Sequence, residues 1–212
     1  MVKTNELISL LAEDAPVRMR LGRALATALV SGIVVSAVIL VFAIGIRHDI
    51  ASVAGTMRVL FKVGLTLVLA ILASSIVFRI GRPEAPVSAA AWALLAPTGV
   101  LAAAVLIELM VLPRDLWEPQ MMGHNAAYCL MFIPLLSIAP LLGFMLALRA
   151  GAPRRPALAG AAAGLAASAI GSALYAWHCI DDSPLFVATW YTIAIAAVTA
   201  IGAALGRRYL RW

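Results

Sequence analysis

Long apolar runs alternate with short polar interruptions along the chain, and the charged residues gather in the interruptions. A water-facing amphipathic helix carries a polar residue every third or fourth position, so this spacing predicts helices that are apolar all round. Crossing a hydrocarbon core of about 30 Å at about 1.5 Å per residue takes roughly 20 apolar residues. Six segments meet that demand: Ala24 to Ile46, Val63 to Phe78, Ser88 to Leu112, Asn125 to Leu148, Ala157 to Trp177 and Phe186 to Leu205. The second is the shortest, and Leu60 and Phe61 extend it if Lys62 snorkels toward the headgroups. The first reads as a span, because its apolar core is too long for a cleaved signal peptide and no small-residue cleavage site follows before Arg47. The expected fold class is therefore all-α, an integral membrane bundle of six transmembrane helices (24–212) behind a short tail (1–23).

Composition agrees. Hydrophobic residues make up 64% of the 212 residues and charged residues 12%, against about 25% charged in an average soluble domain. The net charge of +6 raises the question of nucleic acid, but the basic residues stand singly or in twos and threes beside apolar spans. Membrane orientation accounts for them better, and no direct contact with nucleic acid is expected. Lys3, Arg18, Arg20 and Arg23 precede the first span, Arg79 and Arg82 follow the second, Arg149, Arg154 and Arg155 follow the fourth, and Arg207, Arg208 and Arg211 follow the sixth, 12 in all. The opposite loops hold Arg47, Arg58, Lys62 and Arg114, only 4. Cytoplasmic loops carry the excess, so both termini are placed inside. Asp115, Glu118, Asp181 and Asp182 then fall on the outer side.

Within the spans, Gly160, Gly164, Ser168 and Ser172 recur every four residues on one face of the fifth helix, and Gly202 and Gly206 do so in the sixth. Small side chains at that spacing let helices approach closely. Pro97, Pro134 and Pro140 are expected to bend the third and fourth helices, since each removes a backbone donor. No internal repeat is evident, which weighs against a transporter built from duplicated halves. Glu108 is the one intramembrane acid that stands out, about a turn from the outer end of the third helix. It is expected to reach the interface or to pair with a neighbour such as Arg114. No Ser-His-Asp arrangement, phosphate-binding glycine loop or metalloprotease motif is present, so an enzyme is not expected.

The informative cluster lies at the outer face. The fourth helix opens with Gly123-His124-Asn125-Ala126-Ala127-Tyr128-Cys129, and the fifth closes with Trp177-His178-Cys179-Ile180-Asp181-Asp182. The short link between them makes the two helices antiparallel neighbours. From Leu148 back to Cys129 is about 29 Å of helix and from Ala157 to Cys179 about 33 Å, so the two sulfurs fall at nearly one depth. Three readings stay open: a disulfide or redox pair, a soft or borderline divalent metal held by both thiolates with His124, His178 or Asp181, or two separate buried thiols. In the tail, Thr4 can cap a helix whose Leu7, Ile8, Leu10 and Leu11 form an apolar patch, with Glu13, Asp14 and the turn signal Pro16 after it. Such a helix either lies on the bilayer or docks in a partner's groove, and the acids Glu6, Glu13 and Asp14 favour the partner.

Asn5 to Arg18 (NELISLLAEDAPVR), Gly123 to Cys129 (GHNAAYC), Phe132 to Leu136 (FIPLL) and His178 to Trp190 (HCIDDSPLFVATW) resemble the NrsF family, negative regulators of the extracytoplasmic-function sigma factor called sigma F. The resemblance runs over essentially the whole chain and is most specific at His178 to Trp190. It implies an anti-sigma factor of a Gram-negative inner membrane, whose tail withholds the sigma factor through Leu7, Ile8, Leu11, Asp14, Pro16 and Arg18. It also implies that Cys129 and Cys179 take part in sensing metal or oxidative stress, with His124, His178 and Asp181 beside them. A divalent heavy-metal ion would then be a regulatory ligand, at Cys129, Cys179 and His178, rather than a resident cofactor. The rival class is a small transporter or metal exporter centred on Glu108. A membrane thiol oxidoreductase would need a Cys-x-x-Cys pair, which this chain lacks.

Overall fold

The computed structural model describes residues 21–80, 87–151 and 153–211. The tail residues Leu7, Ile8, Leu11, Asp14, Pro16 and Arg18, and the amphipathic helix expected around them, lie outside the described residues. Those described form helices and short connections, with no strand among them.

Six helices are long and apolar enough to cross a membrane. They are α1 (Leu21–Ile44), α2 (Met57–Ile80), α3 (Ala90–Val111), α4 (Ala126–Gly151), α5 (Pro156–Tyr175) and α6 (Pro184–Tyr209). α1 closes in a π-helical turn, Leu40–Ile44, and ends at Gly45, whose φ of 89° suits a residue without a Cβ. α3 is interrupted at Leu94, between Val87–Ala93 and Leu95–Val111. Pro97 accounts for the break, since it offers no N–H to the preceding turn and crowds it sterically. α4 instead runs unbroken through Pro134 and Pro140.

The fifth helix is the centre of the bundle. Most of its residues from Ala159 to Tyr175 are buried, and it packs on α2, α4 and α6. The small-residue seam expected from the sequence is where α5 meets α6: a Cβ added to Gly164 would lie 2.7 Å from the Val198 carbonyl oxygen, and one on Gly206 would lie 2.8 Å from the Gly160 Cα. α1 lies antiparallel along α4 by the same device, since a Cβ on Gly32 would lie 2.6 Å from the Pro140 Cα. Pro140 also leaves the Leu136 carbonyl without its usual helical donor. The buried Ser36 hydroxyl of α1 takes it, at 2.6 Å. α3 is peripheral, and side chains such as Val30, Phe42, Ile71, Ile107 and Leu146 leave the outer face of the bundle apolar.

This packing gives the bundle two unlike ends. At one, α1 begins, α4 passes to α5 and α6 finishes, and Arg23, Arg79, Arg149, Arg154, Arg155, Arg207, Arg208 and Arg211 gather there. At the other, three connections meet, residues 45–56, 112–125 and 176–183.

Candidate functional site: a thiol pair under an ion-paired cap

The 176–183 connection is the hub of the second end. Four flanking elements hold it, each through a charged or polar group. Arg47, just past α1, donates from Nε and Nη2 to the two carboxylate oxygens of Asp49 at 2.7 and 2.8 Å, and from Nη1 to Asp182 at 2.9 Å and the Cys179 carbonyl at 3.3 Å. These bonds keep the guanidinium charged well above its usual range, and the Arg47 fork holds the Asp49 carboxyl down at about 2. From α2, Lys62 donates to the carbonyls of Cys179 at 2.7 Å and Asp181 at 3.2 Å and pairs with the Asp182 carboxylate. Lys62 is 0% exposed. The expectation that it snorkels outward therefore fails: its stem turns inward because two carbonyls and a carboxylate wait there, and α2 gains its extra turns from Met57 onward.

Two more carboxylates finish helices that belong to other segments. A helix N-terminus leaves N–H groups without partners and carries a partial positive charge. Asp181 accepts the N–H groups of His124 and Asn125, at 3.0 and 2.8 Å, together with the Asn125 amide at 3.0 Å, and so closes the start of α4. Gly123 permits that approach, since its φ is 54° and a Cβ there would lie 2.8 Å from the Asp181 Cγ. Glu108, 7% exposed, does the same for α6, accepting the Ser183 hydroxyl at 2.8 Å and the Leu185 N–H at 3.0 Å. Its other oxygen pairs with Arg58 at 3.2 Å. The partner is thus Arg58 and not Arg114, whose guanidinium lies over the Trp117 ring. A carboxylate occupied in this way gives the transporter reading little support.

Beneath this cap lie the two cysteines. Both are fully buried and free, in one cluster with Ile133, Leu136, Tyr175, Phe186 and Tyr191. Their side chains are neighbours, as the matching depths anticipate. The hydrogen bond between the thiols and the nearby Lys62 ammonium hold Cys179 below the ordinary thiol range, against the effect of burial. The other predicted site residues go elsewhere. His178 Nδ1 lies 2.9 Å from the Gly45 carbonyl, with the ring against Phe132 and Tyr175. His124 is exposed and close to the Asp181 carboxylate, 3.6 Å away. Among the described residues, no three of the His, Cys, Asp and Glu side chains come together in a geometry that holds a metal. The expected ligand set of Cys129, Cys179 and His178 is not assembled here, and neither His124 nor Asp181 supplies its side chain in place of His178.

Sequence reasoning placed Arg47, Arg58 and Lys62 only as outer-side cations, not as site residues, and did not single out Asp49, Ser183, Tyr175 or Tyr191. Tyr175 closes α5, and Tyr191 sits in a π-helical stretch of α6, Val187–Tyr191. Their rings are 6.0 Å apart between centroids. Tyr175 lies beside both sulfurs and Tyr191 beside Cys179. Each hydroxyl has only sulfur within reach and no well-aligned partner. Each such buried group costs about 1–3 kcal/mol, so two in one cluster call for an explanation.

A bundle of six apolar helices, capped at one end by ion pairs over a dithiol, fits a polytopic membrane protein. Residues 10–212 match the model of a family described as NrsF, negative regulator of sigma F. The chain belongs to the NrsF family. A probable anti-sigma-F factor NrsF from Azospira oryzae (strain ATCC BAA-33 / DSM 13638 / PS) is 29% identical over 216 aligned positions, covering 100% of both chains. An anti-sigma-F factor NrsF from Caulobacter vibrioides (strain NA1000 / CB15N) is 38% identical over 90 positions, 42% of each chain. No solved structure matches.

Proposed function

We propose that this chain is an anti-sigma factor of a bacterial inner membrane, which withholds an extracytoplasmic-function sigma factor and releases it when Cys129 and Cys179 meet a thiophilic metal ion or an oxidant. Family membership supports the regulatory role. The adjacency of the two free thiols under a buried ion-paired cap is the observation that carries the sensing role. The gathering of arginines at the opposite end supports a cytoplasmic placement of that end and of both termini. The tail of 1–23, which leads into α1, would then hold the sigma factor on the inner side.

The chemistry is balanced in either branch. A divalent ion replaces both thiol protons, forming two metal–sulfur bonds and releasing two protons. A two-electron oxidant of external origin takes two electrons and two protons and leaves a disulfide. Either event changes the shape of the cluster into which α4, α5 and α6 are packed, and it biases the tail only as far as it prefers one packing over another. Replacing both cysteines with serine should abolish induction of a sigma-dependent reporter by metal or oxidant while the protein stays in the membrane. Normal induction in that variant sinks the sensor assignment. Deleting residues 2–16 should make the reporter constitutive, and continued repression would move the docking site away from the tail.

A further inference from the structure

The Tyr175 and Tyr191 hydroxyls are both buried, both close to sulfur, and both without an aligned acceptor. A thiol sulfur is a weak acceptor, whereas a metal-bound thiolate carries negative charge and accepts a charge-assisted hydrogen bond. We propose that Cys129, Cys179, Tyr175 and Tyr191 form one binding site for a thiophilic metal ion, in which the two sulfurs coordinate the ion and the two phenols donate hydrogen bonds to those sulfurs. This rests on the cysteine-pair reading above and adds the residues that make the pair bind tightly.

Two observations favour the assignment, at a site where the two sulfurs stand without a third His, Cys, Asp or Glu ligand among the described residues. The phenols are the polar groups that line the sulfurs without aligned partners of their own. Tyr191 stands on a π-helical stretch, a local irregularity that recurs at functional sites, while Tyr175 lies within five residues of Cys179 at the close of α5. Lys62 holds the Cys179 carbonyl at 2.7 Å and so fixes the backbone that carries the sulfur. On metal binding, the two thiol protons leave, the phenols keep theirs, and each hydroxyl turns toward a sulfur that has become a good acceptor. The bound state is therefore favoured over the free one by the very groups to which the free state offers only weakly accepting thiol sulfurs.

The test is a cadmium titration of the full chain in detergent, read by the ultraviolet sulfur-to-cadmium charge-transfer band, with affinity taken from competition against a chelator. The variants are Y175F, Y191F, Y175F/Y191F and C129S/C179S, each with its metal-free Tm. Loss of outer hydrogen bonds to metal ligands weakens binding by about 10- to 100-fold. The double tyrosine variant is expected to keep the band, to lose affinity by that factor, and to keep a metal-free Tm equal to or above that of the parent. The single variants should each lose part of the affinity and provide the reading if the double variant does not fold. Parent-like affinity in every tyrosine variant overturns the proposal while leaving the cysteine pair intact, whatever the Tm does. Parent-like cadmium binding by C129S/C179S overturns the cysteine reading, and the proposal with it.

Discussion

Lys62→Met is the most informative single change in the cap. The substitution keeps the buried unbranched stem and removes the ammonium. Lys62 is fully buried, bonds two carbonyls and pairs with Asp182. Breaking a buried pair by removing one partner typically costs about 3–5 kcal/mol, because the other charge is left stranded. Asp182 is only half stranded here, since Arg47 still donates to it at 2.9 Å. The expected loss is therefore near the low end, about 3 kcal/mol, which is a large share of the 5–15 kcal/mol total typical of a domain. Equilibrium unfolding in mixed micelles, followed by circular dichroism, measures it. The same argument expects Lys62→Met and Asp182→Asn to be non-additive, with the double variant less damaged than the sum by about 1–3 kcal/mol. A single-variant loss below about 1 kcal/mol, or full additivity, would refute the assignment of Lys62 as the buried tie of the cap.

Other consequences follow from the same contacts. Glu108→Ala should lower stability by about 1–3 kcal/mol, since at the start of α6 the Ser183 hydroxyl loses its acceptor and the Leu185 N–H keeps only the Ser183 oxygen at 3.2 Å. Arg58→Ala should reproduce a small part of that loss and Arg114→Ala none of it, a contrast readable in the same unfolding assay. Gly164→Leu must push α5 off α6, because even its Cβ would lie 2.7 Å from the Val198 carbonyl oxygen. The expected cost is at least about 1–3 kcal/mol, with a lowered Tm as readout. For pH, the Asp49 carboxyl is held at about 2 in the folded chain, against an ordinary value of 3.8, chiefly by its hydrogen bond from Arg47. A depressed carboxyl stabilises the fold fully above its unfolded value, and the contribution disappears as pH falls toward the folded one. Asp49→Asn should therefore flatten the part of the stability–pH curve between those two values and leave the slope near neutrality unchanged.

The spans were legible in the sequence because hydrocarbon thickness imposes a length and an apolar content that few other folds demand. The glycine seam was legible as well, since Gly160, Gly164, Gly202 and Gly206 have no other physical use at a four-residue spacing. Less visible was the fate of isolated charges. Lys62 at the margin of an apolar run reads equally well as a snorkelling anchor or a buried partner, and only the position of Asp182, 120 residues later in the chain, decides between them. One signal was present and not used: Arg47, Arg58 and Lys62 stand on the side that the positive-inside trend leaves poor in cations, and all three turn out to be paired with acids. The tyrosines were hidden for a different reason. An aromatic residue at a helix end is ordinary in a membrane bundle, and nothing in the sequence tells a phenol anchored at the lipid interface from one aimed at sulfur.

The cap has a property that matters for any sensor built on it. The connection from His178 to Ser183 has little regular structure of its own and is held almost entirely by its neighbours: Gly45 and Arg47 after α1, Lys62 in α2, Glu108 in α3, and the start of α4. A displacement of Cys179 by even a fraction of an ångström cannot be absorbed by a flexible loop, because its carbonyl is shared by Arg47 and Lys62. Such a displacement pulls on the guanidinium and the ammonium, and through them on the ends of α1 and α2. α1 is the helix that would carry such a movement to Leu21, next to the tail, and its seam against α4 is close-packed at Gly32 and bonded at Ser36. A helix close-packed along its middle transmits a tilt rather than dissipating it, and packed interfaces of this kind tend to hold discrete arrangements. If the sensing reading holds, forcing α1 off α4 at Gly32, where an added Cβ would lie 2.6 Å from the Pro140 Cα, should weaken the response to metal or oxidant more than it weakens repression at rest. Gly32→Ala in the sigma-dependent reporter measures both, and an unchanged ratio of induced to resting output would exclude α1 as the carrier.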